Sequence, residues 1–270
     1  MIIQVTQNER GVFEQFLLKH PHPQAAKIYN TLMQYGTGYP FYRFYLFLRA
    51  DGSYYAALML QYTAASLYIL PQSTDLEYQE AAEFIRMLPN LTSLHWTGMD
   101  CQPIRDVLIN GKWSSGTAMQ LVQTLYGTSP PPECRENFLP FYQLLRHTFG
   151  DTYFPKENDL TWYCELSHAV RHGSSALYFL PGKAGALLTG LLYPGIVSVA
   201  QIAVEPSLQN HGIGSSFLSA ICAEYQRQGR AIYVDSCNTK SDRFYTRLGF
   251  AAYAHWYQFE SYGIETEKDE

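Results

Sequence analysis

The sequence predicts an α/β fold with a mixed, α+β type of sheet. Two successive modules, with a similar order of strands and helices, build it. In both halves the pattern is strands, helix, strand, short helix, strand, and residues 94–100 precede residues 232–238 by 138 positions. Within the second half, residues 201–228 change from a short β-branched run to a glycine loop and then to an amphipathic helix. A chain of 270 residues is long enough for two ordinary domains.

The first module opens with predicted strands. Residues 41–48, 54–62 and 66–70 are rich in apolar and aromatic side chains, and Asp51-Gly52 supplies a hairpin turn. A helix follows in which Ala81 and Ile85 share one face, and residues 94–100 predict the next strand.

The boundary between the modules is predicted near the proline run at residues 128–132, which gives domains 1–128 and 129–270. After it, residues 135–149 and 160–172 predict two helices. Residues 176–180 and 186–193 then predict strands joined by the turn at Pro181.

Residues 201–204 predict a strand that Glu205-Pro206 ends, and the loop 208–214 opens a helix that runs to about Gln228. A glycine loop at a helix start leaves N–H groups unpaired at the positive end of the helix dipole, where a phosphate binds. Gly212 and Gly214 could equally shape a tight turn and nothing more. The loop lacks the lysine of a nucleotide-triphosphate loop, and Phe217 is too large for a dinucleotide fingerprint.

Further elements follow this loop in a specific order. Residues 232–235 predict a second strand, Asn238 comes next, and Tyr245 lies in a short helix that Gly249 closes. With Gln209, Gly212 and Gly214, these residues make the chain over about 175–260 resemble the GNAT superfamily of N-acyltransferases.

The resemblance implies acetyl-coenzyme A as cofactor and assigns a role to each matching residue. Tyr245 is the implied catalytic acid for the departing thiolate, and Asn238 the implied side-chain contact to the cofactor. The pantetheine arm is expected to pair with the strand, and the pyrophosphate to lie on the loop amides. The implied cofactor-binding residues are therefore Ile202, Ala203, Val204, Gln209, Asn210, His211, Gly212, Ile213, Gly214, Ser215 and Asn238.

The residue that takes a proton from the amine stays open. Glu205 ends the first strand and Asp235 lies in the second, so either carboxylate could act directly or through water. The first module lacks the matching chemistry, since residues 71–76 contain no glycine and Val107 stands at the position of Tyr245. We expect that module to be structural or to shape the acceptor site.

Composition narrows the function classes. A net charge of −5 without a basic run argues against nucleic-acid binding, and the absence of an 18-residue apolar run argues against membrane insertion. Five cysteines without paired spacing favour a reducing, cytoplasmic location. His168 and His172 have a metal-ligand spacing but no evident third ligand, so no metal is expected.

The sequence thus predicts an acetyl-CoA-dependent N-acetyltransferase that transfers acetyl to a primary amine by direct attack in a ternary complex. The alternative is a non-catalytic acyl-CoA-binding or interaction module with the same fold. The acceptor, a small molecule or a peptide, carries no sequence motif. The tyrosines crowded into the first half indicate sheet packing or a subunit interface, such as that of a homodimer.

Overall fold

The computed structural model describes residues 1–98, 102–126, 130–131, 133–150 and 159–262. The strands are β1 (Ile2–Gln4), β2 (Tyr42–Leu48), β3 (Tyr54–Gln61), β4 (Ala64–Ile69), β5 (Ser93–Gly98), β6 (Gly111–Leu121), β7 (Ser175–Leu180), β8 (Ala184–Thr189), β9 (Ile196–Val204), β10 (Ala231–Ser236) and β11 (Phe250–Ser261). The α-helices are α1 (Arg10–Lys19), α2 (Pro23–Tyr35), α3 (Asp75–Arg86), α4 (Gln102–Val107), α5 (Leu139–Phe149), α6 (Asp159–Arg171), α7 (Ile213–Arg227) and α8 (Thr239–Arg247). None of the described helices is both long enough and apolar enough to span a bilayer.

The predicted order of elements is confirmed in both halves. The first runs β2-β3-β4-α3-β5-α4-β6 and the second β7-β8-β9-α7-β10-α8-β11. The sequence reading missed α1 and α2, which precede the first series. Residues 99 and 100 of the segment compared between the halves lie outside the described residues, as do residues 128, 129 and 132 of the proline run.

Packing divides the chain into two compact units, each assembled from separate segments. Unit 1 comprises Met1–His20, Tyr35–Ala118 and the chain from Ala254 onward, and unit 2 comprises Pro21–Gln34 and Met119–Tyr253. Helix α2 thus belongs almost entirely to unit 2 although it lies early in the sequence. The domain bounds 1–128 and 129–270 stay a prediction about where each module begins and ends.

In unit 1, β1 through β4 form an antiparallel meander, β5 pairs parallel with β4, and β11 pairs antiparallel with β5. Helix α3 connects β4 to β5 and buries Ala81 and Ile85 against the sheet. The core around them contains Phe47, Trp96 and Phe259. A parallel pair of neighbouring strands requires a crossover, and the amphipathic α3 provides it.

In unit 2, β7, β8 and β9 are antiparallel, and β10 pairs parallel with β9 after the crossover through α7. Strand β6, which ends in this unit, lies beside β10. Helix α7 buries Phe217, Leu218 and Ile221 on one sheet face, and α5 and α6 cover the other face.

Two predicted helix bounds differ from those observed. The helix expected from residue 135 begins at Leu139, because Asn137 takes the left-handed conformation at φ 53° and Pro140 favours a helix start. Glu133, just before it, forms a bridge to Tyr178 of β7. The second helix is Asp159–Arg171, against the predicted 160–172.

Candidate functional site

The connection from β9 to α7 is a tightly bent loop held by its own side chains. A 3-10 turn, Pro206–Leu208, follows the strand, and the Gln209 side-chain amide donates to the carbonyl of Val204 at 3.2 Å. Asn210 and Gly212 both take left-handed conformations, at φ 65° and 78°. Gln209, expected at the cofactor, therefore anchors the loop to the strand end.

The two glycines of the loop are required for different physical reasons. Gly212 is the N-cap of α7 and needs its positive φ, with open space around the position of a Cβ. At Gly214 a Cβ would lie 3.0 Å from Cγ2 of Val204 and 3.6 Å from the ring of Phe244. Gly214 thus permits close packing of α7 on β9 and places α8 beside the start of α7.

The N–H groups of this loop point away from the protein's own acceptors. From Asn210 to Ser215, no backbone N–H donates to a carbonyl or side chain in the part of the chain that the structure describes. The first carbonyl of the helix, that of Gly212, accepts from Ser216 N at 3.0 Å. The His211 ring lies against the carbonyl of Gln209 at 2.8 Å and is exposed.

The corresponding helix start in unit 1 is closed. Thr74 and Glu77 form a capping box before α3, in which each side chain accepts from the other residue's N–H at 3.3 and 2.7 Å. A capping box satisfies the donors that an anion would need. Between these two helix starts, only that of α7 leaves its donors open for a ligand.

Strand β9 has an open edge beyond its pairing with β10. The parallel register ends at Val199 opposite Val234, and a bulge at Ala200 interrupts the pairing with β8. Glu205 N donates to the carbonyl of Lys183. Because every second residue of an antiparallel strand is hydrogen-bonded to its neighbour strand, Ala203 also directs its N–H and C=O groups toward β8.

The groups left at this edge differ in part from the expectation. Ile202 and Val204 turn their N–H and C=O groups away from β8, whereas Ala203 has no main-chain group left for an incoming chain. The carbonyl of Val204 already accepts from Gln209, and from the Thr148 hydroxyl at 3.4 Å. Ile202 and the N–H of Val204 are thus the groups that an extended ligand can pair with.

Asn238 caps helix α8. Its side-chain oxygen accepts from the N–H groups of Lys240 and Ser241, both at 3.0 Å. The residue is exposed, and its amide nitrogen donates to none of the described residues. Asn238 therefore has a structural role that the sequence did not indicate, and its NH₂ group stays available to a cofactor.

Tyr245 is buried on α8, in the core that α7 and the sheet share. Its ring makes edge contacts with Phe244 at 5.1 Å and Phe250 at 5.5 Å. Phe244, the neighbour of Tyr245 on α8, is the residue whose ring approaches Gly214. Gly249 closes this helix region at φ 90°, as predicted.

The two carboxylates considered as bases have different surroundings. Glu205 lies 3.1 Å from Nδ1 of His147 on α5, at the rim of a cavity of about 310 Å³. Asp235 is exposed on β10, one residue beyond the end of its pairing with β9. Its charge acts on His22 and Lys27 of α2, which the sequence reading did not connect with the site.

The remaining cysteine and histidine hypotheses have structural explanations. Burial raises the pKa of Cys222 to about 12, and burial with nearby Asp235 raises that of Cys237, so neither thiol is activated. His168 contacts Gln34 at 2.6 Å and stacks on His172. Within the described ranges, no group of three metal-ligating side chains is assembled.

Comparison with known proteins gives a family match over part of the chain. Residues 138–250 match the model of the acetyltransferase (GNAT) family, from the N-cap of α5 to the start of β11. The matched segment includes the glycine loop, Asn238 and Tyr245.

Solved structures extend the likeness in fold to almost the whole chain. A GCN5-related N-acetyltransferase from Sphaerobacter thermophilus is 14% identical, with a TM-score of 0.59 and 97% of each chain covered. A GNAT-family acetyltransferase from Colwellia psychrerythraea is 13% identical, with a TM-score of 0.55, covering 97% of this chain and 99% of that one.

A tandem GNAT protein from the clavulanic acid biosynthesis pathway is 14% identical, with a TM-score of 0.55, covering 98% of this chain and 99% of that one. At such identities the likeness establishes the fold, which includes the first half of the chain. No curated protein matches the sequence.

Proposed function

We propose that the protein is an N-acetyltransferase that uses acetyl-coenzyme A and transfers the acetyl group to a primary amine by direct attack in a ternary complex. The open row of N–H groups from Asn210 to Ser215 carries this proposal. Such a row, at the positive end of a 15-residue helix, suits a pyrophosphate.

The open edge of β9 supports the same ligand. The pantetheine arm of coenzyme A is extended and carries amide groups, which can pair with Ile202 and with the N–H of Val204 as an added strand would. The loop and this edge are consecutive in the chain, so one long ligand can contact both. The free NH₂ group of Asn238 can add a donor from α8.

Acetyl-coenzyme A, when bound, supplies an activated acyl thioester. Tyr245 would donate its phenolic proton to the departing sulfur, since an ordinary phenol with a pKa of about 10 stays protonated at neutral pH and can protonate a thiolate. The amine must lose a proton before it attacks, to Glu205, to Asp235 or to water. Of the two carboxylates, Glu205 already contacts His147.

Calorimetric titration with acetyl-coenzyme A, followed by detection of released thiol across an amine panel, tests the proposal. We expect binding, turnover with a subset of amines, and a loss of kcat of about 100-fold or more in Tyr245→Phe with unchanged cofactor affinity. Tyr225→Phe is the matched control, because it removes a hydroxyl from the same core. The Tyr225 hydroxyl is hydrogen-bonded to that of Tyr178.

Absence of acetyl-coenzyme A binding would refute the proposal in every form. Binding without thiol release on any amine, and with Tyr245→Phe indistinguishable from the parent protein, would instead favour a non-catalytic acyl-CoA-binding module. Acid catalysis by Tyr245 is also wrong if both tyrosine variants lose the same activity.

A further inference from the structure

Helix α2 covers the sheet face of unit 2 that lies opposite α7. Ala26 packs against Tyr193 and Ile196, and Tyr29 meets the Tyr193 ring edge-on at 5.4 Å. Asn30 fixes the helix by donating to the carbonyl of Ser174 and accepting from Leu192 N, both at 3.1 Å. α2 is thus a firmly attached wall of this face.

The strand alternation shows which side chains share the face with α2. Val199, Ile202 and Val234 belong to the core under α7, so their neighbours Gln201 and Asp235 project to the opposite side. The parallel pairing of β9 with β10 ends at Val199 and Val234. If the thioester of a bound cofactor lies where this pairing ends, an acceptor can reach it from the α2 side.

Aromatic rings and charges from α2, β10 and β11 meet on this face. The Tyr253 ring lies 5.4 Å from that of Tyr233 and 6.4 Å from that of His22. Lys27 of α2 lies five residues after His22, and the charge of Asp235 acts on the pKa of both residues. We call His22, Lys27, Tyr233, Asp235 and Tyr253 the α2-side cluster.

The cluster holds one cation and one anion that do not neutralise each other by contact. Lys27 has no hydrogen bond or ion pair from its ammonium to any described residue, and its side chain is exposed. Desolvation lowers the pKa of Lys27, and the charge of Asp235 opposes that shift in part.

The other polar groups of the cluster carry no charge at neutral pH. Burial lowers the pKa of His22 to about 4, and burial with the nearby Asp235 raises the pKa of Tyr253. The side-chain oxygen of Gln201 is buried and receives no hydrogen bond among the described residues. The face thus offers a cation, an anion and an unused acceptor.

We propose that the acetyl acceptor is a zwitterion, an amine with a carboxylate close by, whose carboxylate binds Lys27 while its amino group lies at Asp235 and Gln201. A simple cationic amine would be repelled by the Lys27 ammonium, whereas a carboxylate supplies the contact that this ammonium lacks. The inference rests on the proposed acetyl transfer and names its substrate class.

Matched acceptors test the proposal most directly. The panel contains the L-amino acids, their carboxamides and their decarboxylated amines, assayed by thiol release and by calorimetric titration in the presence of coenzyme A. We expect at least one amino acid to bind and to be acetylated, with its carboxamide and decarboxylated amine weaker by about 10-fold or more.

Variants of Lys27 then separate recognition from folding. Lys27→Gln should raise KM for the amino acid about 10- to 100-fold with little change in kcat, and leave the carboxamide unaffected. Lys27→Arg should restore much of the affinity, and Lys27→Glu should shift preference toward the decarboxylated amine. Lys183→Gln, at an exposed lysine of the β7–β8 turn, is the control and should change neither constant.

The proposal is overturned if no amino acid binds, if the carboxamides are preferred, or if Lys27→Gln weakens all three acceptor types equally. These results are distinguishable from failure of the proposed function, in which acetyl-coenzyme A itself does not bind. Lys27→Gln should leave cofactor titration unchanged, since no hydrogen bond or ion pair joins Lys27 to the loop or to α7 among the described residues.

Discussion

Replacement of Gly212 by alanine should separate the ligand-binding role of the loop from its folding role. Gly229 provides a matched position, because it also has a positive φ, 75° against 78°, and also has open space where a Cβ would lie. The two glycines flank opposite ends of the 15-residue α7, which is about 22 Å long. Alanine therefore introduces the same backbone strain at both.

The left-handed conformation costs an alanine about 1–2 kcal/mol, which should lower the melting temperature of each variant by about 2–8 °C. Gly212→Ala alone also displaces N–H groups that have no partner in the described protein. A hydrogen bond to a charged group contributes about 1.5–3 kcal/mol, so loss of one should weaken acetyl-coenzyme A binding about 10- to 150-fold.

Thermal unfolding without ligand measures the stability of each variant, and calorimetric titration measures its affinity for acetyl-coenzyme A. We expect similar losses of stability and a loss of affinity only in Gly212→Ala. If both variants bind the cofactor as tightly as the parent protein, the loop is a structural turn and not an anion site. Equal loss of affinity in Gly229→Ala would contradict the assignment to the loop.

Three further outcomes are expected. Asn238→Asp should keep the cap of α8, and hence the melting temperature, but weaken cofactor binding, whereas Asn238→Ala should also lose about 1 kcal/mol of stability by chemical denaturation. His22 stays neutral in the folded protein down to about pH 4 but protonates near pH 6.5 when unfolded. The unfolding free energy should therefore fall by about 3 kcal/mol as the pH is lowered from 6.5 to 4. His22→Gln should flatten that pH profile, and an unchanged profile would refute the cause. Asn30→Ala should destabilise the protein by about 1–3 kcal/mol, while Thr31→Ala, on the exposed side of α2, should change the melting temperature little.

The sequence predicted the local elements around the site well, because each depends on short-range signals. A β-branched run ended by Pro206, glycine at positions 212 and 214, and a helical apolar stripe all act within a few residues. The closing Gly249 is of the same kind, and its positive φ is observed. The sequence did not show that Gly212 and Gly214 have different roles, because the role of Gly214 depends on how closely Val204 packs against it.

Other features depend on contacts between residues far apart in the chain, and the hydrophobic periodicity of the sequence does not reveal such contacts. Nothing in the sequence indicated that α2 packs in unit 2, since the bonds that fix it join Asn30 to residues 144 and 162 positions away. For the same reason His22 and Lys27 were not associated with Asp235. The pairing of β11 with β5 was equally hidden.

By itself the sequence determined the order of elements, the glycine loop and the family resemblance, since these follow from local propensity and from residue spacing. Only the tertiary structure decided which N–H groups stay open, which edge of β9 is unpaired, and which charges lie on the sheet face that α2 covers. Those properties depend on long-range packing, which determines whether a polar group is hydrogen-bonded within the protein or stays available to a ligand.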